Sequence, residues 1–237
     1  MVKLDFWKDI IKKREKEGNE LMHVALTTYG TEKWAEKNKV SKEDAYVKKL
    51  NNIVDIIRIQ VKEDIPILTI NLLSKQTILE NAEVLSEFLR KLMESELINK
   101  NKIKVNVLGK WYDLPAEAVN PIKDIIEETK DYDSHFLNLC LNYDGQEEIV
   151  NACKLIARKI KEEKIDIKDI NKEEIKDNLY SSYFLPPNLI IDNSERFSGL
   201  LLWDSKDAVF VKVNKLFQDF SGKEFLKILD SYKEGKL

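Results

Sequence analysis

The sequence predicts an α/β fold: a single domain built on a mostly parallel sheet of about six strands covered by helices on both faces. Three observations predict it. Short apolar runs alternate with amphipathic stretches along the 237 residues, and strands separated by helices join through right-handed crossovers into a parallel sheet. Hydrophobic residues are 43% and charged residues 34%, the balance of a globular chain with a highly charged surface. The length suits one substantial core better than two very small ones, and neither an internal repeat nor a low-complexity segment is present.

Each element follows in order. Residues 1–20 are predicted as an N-terminal amphipathic helix ahead of a domain at 21–237. Leu4, Phe6, Trp7, Ile10 and Ile11 form an apolar cluster followed by Lys12, Lys13 and Arg14. Such a helix lies on a membrane surface or packs on a protein; the basic run is short, and Glu15 and Glu17 follow it. Met22–Thr27 reads as a strand. Glu43–Lys62 reads as a helix, with Val47, Leu50, Val54, Ile57 and Val61 near helical spacing. Ile67–Leu73 is a second strand opened by Pro66, and Leu79–Ile98 a long helix. Ile103–Leu108 is a third strand ended by Gly109. A helix runs from Pro115 to about Lys130, with proline near the first turn, where its missing N–H costs little. His135–Leu141 is a fourth strand and Glu147–Glu163 a helix. The Lys-, Asp- and Glu-rich stretch Lys161–Lys176 reads as a solvated helix or loop. Leu189–Ile191 and Leu200–Trp203 are short strands, and Lys223–Lys233 closes the chain as a helix.

Composition narrows the function. A net charge of -3 leaves no basic footprint for nucleic acid. Arginine occurs only at 14, 58, 90, 158 and 196, and lysine does not reproduce its bidentate grip on phosphate. Glycine, which lets backbone approach a phosphate closely, occurs 7 times. Cys140 and Cys153 have no metal or redox spacing and read as buried free thiols of a reduced, cytosolic chain. No signal peptide or 18-residue apolar run appears. His135, at the start of a strand without candidate partners, reads as structural. No Ser/His/Asp triad, zinc spacing or Gly-rich nucleotide loop is found.

Five motifs carry a resemblance. His23-Val24-Ala25-Leu26-Thr27-Thr28-Tyr29-Gly30-Thr31-Glu32-Lys33-Trp34-Ala35 is similar to His-Val-Ala-x-x-x-Asp-Gly-Asn-Gly-Arg-Trp-Ala. Gly109–Pro115 is similar to Gly-Asp-x-x-x-Leu-Pro. Leu141–Val150 is similar to a segment containing Asn-Tyr-Gly-Gly-Arg-x-Glu-Ile-Val. Arg196–Trp203 is similar to Arg-Leu-Ser-Asn-Phe-Leu-Leu-Trp, and Phe217-Gln218-Asp219-Phe220 to Trp-Pro-Asp-Phe. In this order and spacing they resemble the cis-prenyltransferase (undecaprenyl diphosphate synthase) family over nearly the whole chain.

The departures fall on chemistry. The resemblance implies a magnesium-binding Asp where Tyr29 stands, and a tyrosine, neutral at pH 7, is a poor ligand for that hard cation. It implies a second metal-binding acid where Val209 stands, and arginines where Asp192 and Gln146 stand; the Asp192 carboxylate would repel a diphosphate. Gly-His-x-x-Gly is represented by Ala45-Tyr46-Val47-Lys48-Lys49. His23, Gly30, Arg196 and Ser198 persist as residual substrate-site positions, His23 reading equally as a satisfied core histidine. One arginine–phosphate contact does not replace two metal ligands and two arginines in stabilising a leaving diphosphate.

The resemblance therefore implies a non-catalytic or weakly catalytic subunit, of the Nogo-B receptor type, paired with an active cis-prenyltransferase that makes long-chain polyprenyl diphosphate. No metal is expected on this chain; magnesium is expected in the catalytic partner. In the family a C-terminal Arg-x-Gly contributes to the neighbour's site, and Lys233-Glu234-Gly235 holds that place here. The dimer interface is expected around Ser198, Leu200 and Trp203, and the complex is expected in the cytoplasm or at the membrane surface. Two alternatives stand: an active prenyltransferase whose rearranged metal site uses Asp192, Asp204 and Asp207, and a stand-alone isoprenoid binder. For the last, Leu85, Phe88, Leu89 and Leu92 line a tunnel or fill the core.

Overall fold

A computed structural model describes residues 7, 8, 10–12 and 20–237. Six strands form one sheet: β1 (His23–Thr27), β2 (Ile67–Leu73), β3 (Ile103–Leu108), β4 (His135–Leu141), β5 (Leu189–Asp192) and β6 (Val209–Lys212). Their order is β3-β4-β2-β1-β5-β6, and every pairing is parallel. The central strands are buried on both faces, so they read as continuous apolar runs without alternation.

The helices are α1 (Thr31–Asn38), α2 (Lys42–Lys62), α3 (Lys75–Glu80), α4 (Ala82–Glu94), α5 (Glu96–Lys100), α6 (Ala116–Glu128), α7 (Gly145–Lys161), α8 (Lys172–Asp177) and α9 (Gly222–Lys233). On one face α2, α4, α6 and α9 bury Ile53, Phe88, Ile122 and Phe225 against the sheet. A second cluster, containing Trp7, Phe136, Phe184, Leu200 and Leu201, covers the other face.

Several expectations are corrected. Leu79–Ile98 is not one helix, because Asn81 and Ser95 interrupt it. Ser95 is extended (φ -72°, ψ 141°) and its hydroxyl caps α5 through Ile98 N–H, the local competition that keeps serine out of helix interiors. Leu200–Trp203 is a turn, and the sixth strand is Val209–Lys212. Leu201 adopts φ 49°, so the adjacent Leu200 and Leu201 both point into the core, where a strand would send them to opposite faces. The buried stripe of α2 runs through Ala45, Tyr46, Lys49, Leu50, Ile53, Ile56, Ile57 and Gln60, while Val47 is exposed. Cys140 is buried but Cys153 is exposed. His135 has a neighbour after all, with Nε2 3.4 Å from Asp64 Oδ1. The stretch from 161 to 176 holds a 3-10 turn at Ile167–Asp169 and the start of α8, all at the surface.

Most of the expected N-terminal helix at 1–20 lies outside the described residues. Of those described, 7, 8 and 10–12 are helical. Trp7 is 2% exposed, donates its indole N–H to the Tyr183 carbonyl at 2.8 Å and sits 5.1 Å from the Phe136 ring. This segment therefore packs on its own domain. No helix among the described residues is long and apolar enough to cross a membrane.

Candidate ligand site

The carboxyl ends of β1, β2 and β5 open into a cavity of about 740 Å³, the place where open α/β sheets hold ligands. The loop after β1 turns at Gly30, whose φ of 103° a residue with a side chain rarely adopts. A Cβ there would also come within 2.5 Å of Leu216 Cδ2. The first turn of α1, from Thr31 to Lys33, lines the cavity, and no side chain caps this helix.

Asn193 pins the rim. Its Oδ1 accepts from Thr27 Oγ1 and Tyr29 N–H, both at 2.9 Å, and its Nδ2 donates to the carbonyls of Tyr29 at 2.9 Å and Lys215 at 3.2 Å. One side-chain amide thus ties β1, the loop after β5 and the chain leading to α9. The sequence signal for Asn193 is only an Asx residue immediately after a strand.

Asp192 does not confront a ligand. It is 0% exposed and absent from the cavity lining. Its carboxylate accepts from Ser194 N–H at 2.7 Å, the Ser194 hydroxyl and Ser198 N–H at 3.2 Å, and lies 3.1 Å from Thr27 Oγ1, whose one proton it shares with Asn193 Oδ1. Burial opposes its charge, yet the Ser194, Ser198 and Thr27 donors outweigh it and hold the carboxyl below its ordinary range. The expected repulsion of a diphosphate is replaced by a loop staple. Ser198 spends its N–H here and accepts Leu200 N–H on its hydroxyl at 3.3 Å.

Tyr29 stands on the rim, 46% exposed. Burial first, and then the Asp192 charge, push its phenol higher than an ordinary tyrosine, so it stays protonated at neutral pH. The three acids lining the cavity are all engaged: Glu195 with Lys33, Glu32 with Lys42 at 2.9 Å, and Glu80 with Gln76 at 2.6 Å. Among the described residues no group of three His, Cys, Asp or Glu side chains could hold a metal ion. Asp192 is consumed as described, Asp204 accepts from Lys176 at 2.5 Å and Ser181 Oγ at 2.7 Å, and Asp207 borders a separate cavity of about 500 Å³. The rim therefore does not fit magnesium, which needs carboxylate or phosphate oxygens around it.

Other expected residues are dispersed. Val209 opens β6 and pairs with Leu189, which is level with Val24 of β1. Val209 is thus five residues short of Tyr29 along parallel strands, roughly 16 Å away at the strand rise, and borders the second cavity. The two positions do not meet within this chain. His23 opens β1, also away from the cavity. Its Nδ1 faces the Leu185 carbonyl at 2.6 Å and its Nε2 faces Thr69 Oγ1 at 2.7 Å. A carbonyl only accepts, so Nδ1 carries the proton and Nε2 takes the threonine hydroxyl. Burial lowers its pKa to about 3, against the Leu185 hydrogen bond, which raises it. His23 is thus buried, with a partner on each ring nitrogen.

Lys233 Nζ bonds Glu63 at 2.9 Å, beyond the end of α2 and ahead of β2, and Gly235 has φ 65°. Both lie toward the amino ends of the strands, away from their own chain's cavity. Leu200 is 1% exposed, so it serves its own core and not a partner, while Ser198 and Trp203 are half-buried. Leu85, Phe88, Leu89 and Leu92 are buried in the main core and none lines the cavity.

Arg196 and Lys49 complete the site. Arg196 lines the cavity, and its guanidinium has no hydrogen-bond or ion-pair partner among the described residues. Lys49 lines it too. It is 4% exposed, its one hydrogen bond goes to the Leu72 carbonyl at 2.6 Å, and the Tyr46 ring lies 6.0 Å away. Burial alone lowers its pKa to about 7.

A parallel sheet with a cavity at its carboxyl ends, entered by a Gly30 turn and an uncapped helix, defines an open α/β protein with its cavity where such sheets hold ligands. Residues 28–236 match the family model described as "Putative undecaprenyl diphosphate synthase", and the chain belongs to this cis-prenyltransferase family. It is 28% identical over 235 residues to the tritrans,polycis-undecaprenyl-diphosphate synthase (geranylgeranyl-diphosphate specific) of Thermoplasma volcanium, covering 95% of this chain and 91% of that one. It is 27% identical over 221 residues to the isoprenyl transferase of Bacillus subtilis, covering 90% and 84%. Among solved structures, lavandulyl diphosphate synthase from Lavandula x intermedia, in complex with dimethylallyl diphosphate, superposes with a TM-score of 0.81 at 26% identity, covering 89% of this chain and 94% of that one.

Proposed function

We propose that this chain is a non-catalytic or weakly catalytic subunit of a heteromeric cis-prenyltransferase. An active family member would supply the magnesium site and join isopentenyl diphosphate to an allylic diphosphate, making a long-chain polyprenyl diphosphate. One observation carries the reading: a complete family scaffold surrounds a cavity whose rim offers a protonated tyrosine and three already engaged acids in place of free carboxylates. Electrostatic stabilisation of a departing diphosphate needs metal or several aimed cations, and this rim has lost that provision. Lys233 and Gly235, turned away from their own cavity, are proposed to reach a neighbour's, Lys233 by exchanging its surface pair with Glu63. Ser198 and Trp203 are proposed for the contact with the partner, and the assembly is proposed to work in the cytoplasm or at a membrane surface, where an isoprenoid lipid product collects.

The test is co-expression with an active family member from the same cell. The expected outcome is a stable heteromer whose prenyl transfer exceeds that of the partner alone, reduced severalfold by Lys233→Ala. A partner whose association and activity ignore this chain refutes the reading. Similarity to proteins named as synthases supports a second reading, an active prenyltransferase with a rearranged metal site; magnesium-dependent turnover by this chain alone would select it.

A further inference from the structure

A second cavity, of about 500 Å³, lies at the opposite end of the sheet from the first. Met22 precedes β1, Asn188 precedes β5 and Val209 opens β6, and all three line it. Its size is that of a small-molecule pocket. Asn188 fixes its floor. The Asn188 Oδ1 accepts the Met22 and His23 N–H groups, both at 2.9 Å. Its own N–H donates to the His23 carbonyl at 2.9 Å, and its carbonyl accepts Val209 N–H at 2.8 Å. Pro186 and Pro187, whose rings fix φ, form part of the wall. The cavity is therefore preformed, and an entering ligand has little left to order.

Its charge is one-sided. Glu20 and Asp207 line it, and among the described residues no lysine, arginine or histidine does. Neither carboxylate has a hydrogen-bond or ion-pair partner among the described residues. Tyr232, near the end of α9, lines it too; burial first, and then the Glu20 charge, raise its phenol above the ordinary range. The rest of the wall, Ile11, Met22, Leu185 and Val209 with the two prolines, is apolar. A metal ion does not fit, because no group of three His, Cys, Asp or Glu side chains among the described residues could hold one and a hard cation needs more oxygens than two carboxylates supply. An organic cation does fit. The apolar wall covers its chain, the carboxylates match its charge, and an aromatic ring such as Tyr232 favours a cation over an anion.

We propose that the cavity at the amino ends of β1, β5 and β6 is a second binding site, for an organic ammonium ion carried on a short apolar chain, with Glu20 and Asp207 receiving the charge. The site is separate from the first cavity: Val209 lies roughly 16 Å from Tyr29 at the strand rise. The proposal goes beyond the subunit reading and does not depend on it, because it concerns binding by this chain alone.

The experiment is titration of the full, nitrogen-15-labelled chain with octyltrimethylammonium, followed through its amide resonances. Octanoate, with a similar chain and the opposite charge, and tetramethylammonium, with the charge and no chain, are the comparison ligands. Octyltrimethylammonium is expected to shift the amides of Asn188, Val209 and Tyr232 and to leave those of Gly30 and Asn193, at the first cavity, unmoved. Both comparison ligands should bind at least tenfold more weakly, and added salt should weaken octyltrimethylammonium itself. Glu20 and Asp207 are exposed, so the double variant Glu20→Gln, Asp207→Asn should fold and lose at least tenfold in affinity. The mapping of shifts in the unmodified protein is independent of that variant. No binding, shifts centred on Gly30, equal affinity for octanoate or for tetramethylammonium, indifference to salt, or unchanged affinity in the double variant would each overturn the proposal.

Discussion

Across the middle of the sheet, buried polar groups satisfy one another. Asn106 Nδ2 donates to Asn138 Oδ1 at 3.2 Å, Asn138 Nδ2 donates to Thr69 Oγ1 at 3.1 Å, and Thr69 faces His23 at 2.7 Å. This ladder crosses β3, β4, β2 and β1. At the carboxyl ends of the same strands, Lys49 has one carbonyl, Arg196 has no partner among the described residues, and the acids pair at the surface. The two buried bases show the contrast. Burial keeps His23 neutral and lowers the pKa of Lys49 to about 7, but both ring nitrogens of His23 have partners, whereas the Lys49 amine has one carbonyl. A closed network specifies the fold, and an open one leaves a ligand something to complete.

Four substitutions and pH changes bear on that comparison, in decreasing order of effect. His23→Leu should destabilise the chain by about 3 kcal/mol, because it strands Thr69 and the Leu185 carbonyl in the core. Chemical denaturation would measure it, and a loss below about 1 kcal/mol would mean that the ladder is not closed. Lys49→Met should do the reverse, stabilising the chain on the order of 2 kcal/mol at pH 7. The sign follows from linkage: a base whose folded pKa lies below its unfolded value leaves the unfolded chain holding more protons between the two. The native chain therefore gains stability from about pH 7 upward, and its deficit against Lys49→Met should close by about pH 10.

Asn193→Ala should cost about 2 kcal/mol and loosen the rim, read as faster amide exchange at Tyr29. Lys33→Ala should leave the melting temperature unchanged, since the Lys33–Glu195 pair is exposed and such pairs add little. Acid sharpens the contrast further. His23, with a folded pKa of about 3, should withdraw stability as pH falls from its ordinary 6.5 toward 3, and His23→Leu should lack that component.

The sequence exposed the sheet and hid the cavity wall for identifiable reasons. β1, β2 and β4 are buried on both faces, so their apolar runs stand out without alternation. The family motifs located the rim, because Gly30, Arg196 and Ser198 sit in recognisable strings. Lys49 stayed hidden because a lysine in a helix reads as solvated. Placing the α2 stripe on Val47 and Val54 turned the helix away from its buried side; Tyr46, Leu50 and Ile53 flank Lys49 at helical spacing and could have revealed it. The role of Asp192 was likewise invisible, since a carboxylate beside a phosphate site suggests repulsion until Ser194, Ser198 and Thr27 are seen to enclose it. Val209 was grouped with Tyr29 by motif alone, and strand register separates them.

The most direct measurement is prenyl transfer by the purified chain alone, at enzyme concentrations stoichiometric with substrate, from isopentenyl diphosphate to geranylgeranyl diphosphate with magnesium. A rim of protonated Tyr29 and engaged acids predicts no product above background and no response to added metal. Magnesium-dependent product, abolished by EDTA, would contradict the account and require carboxylates from elsewhere in the fold to reach the cavity.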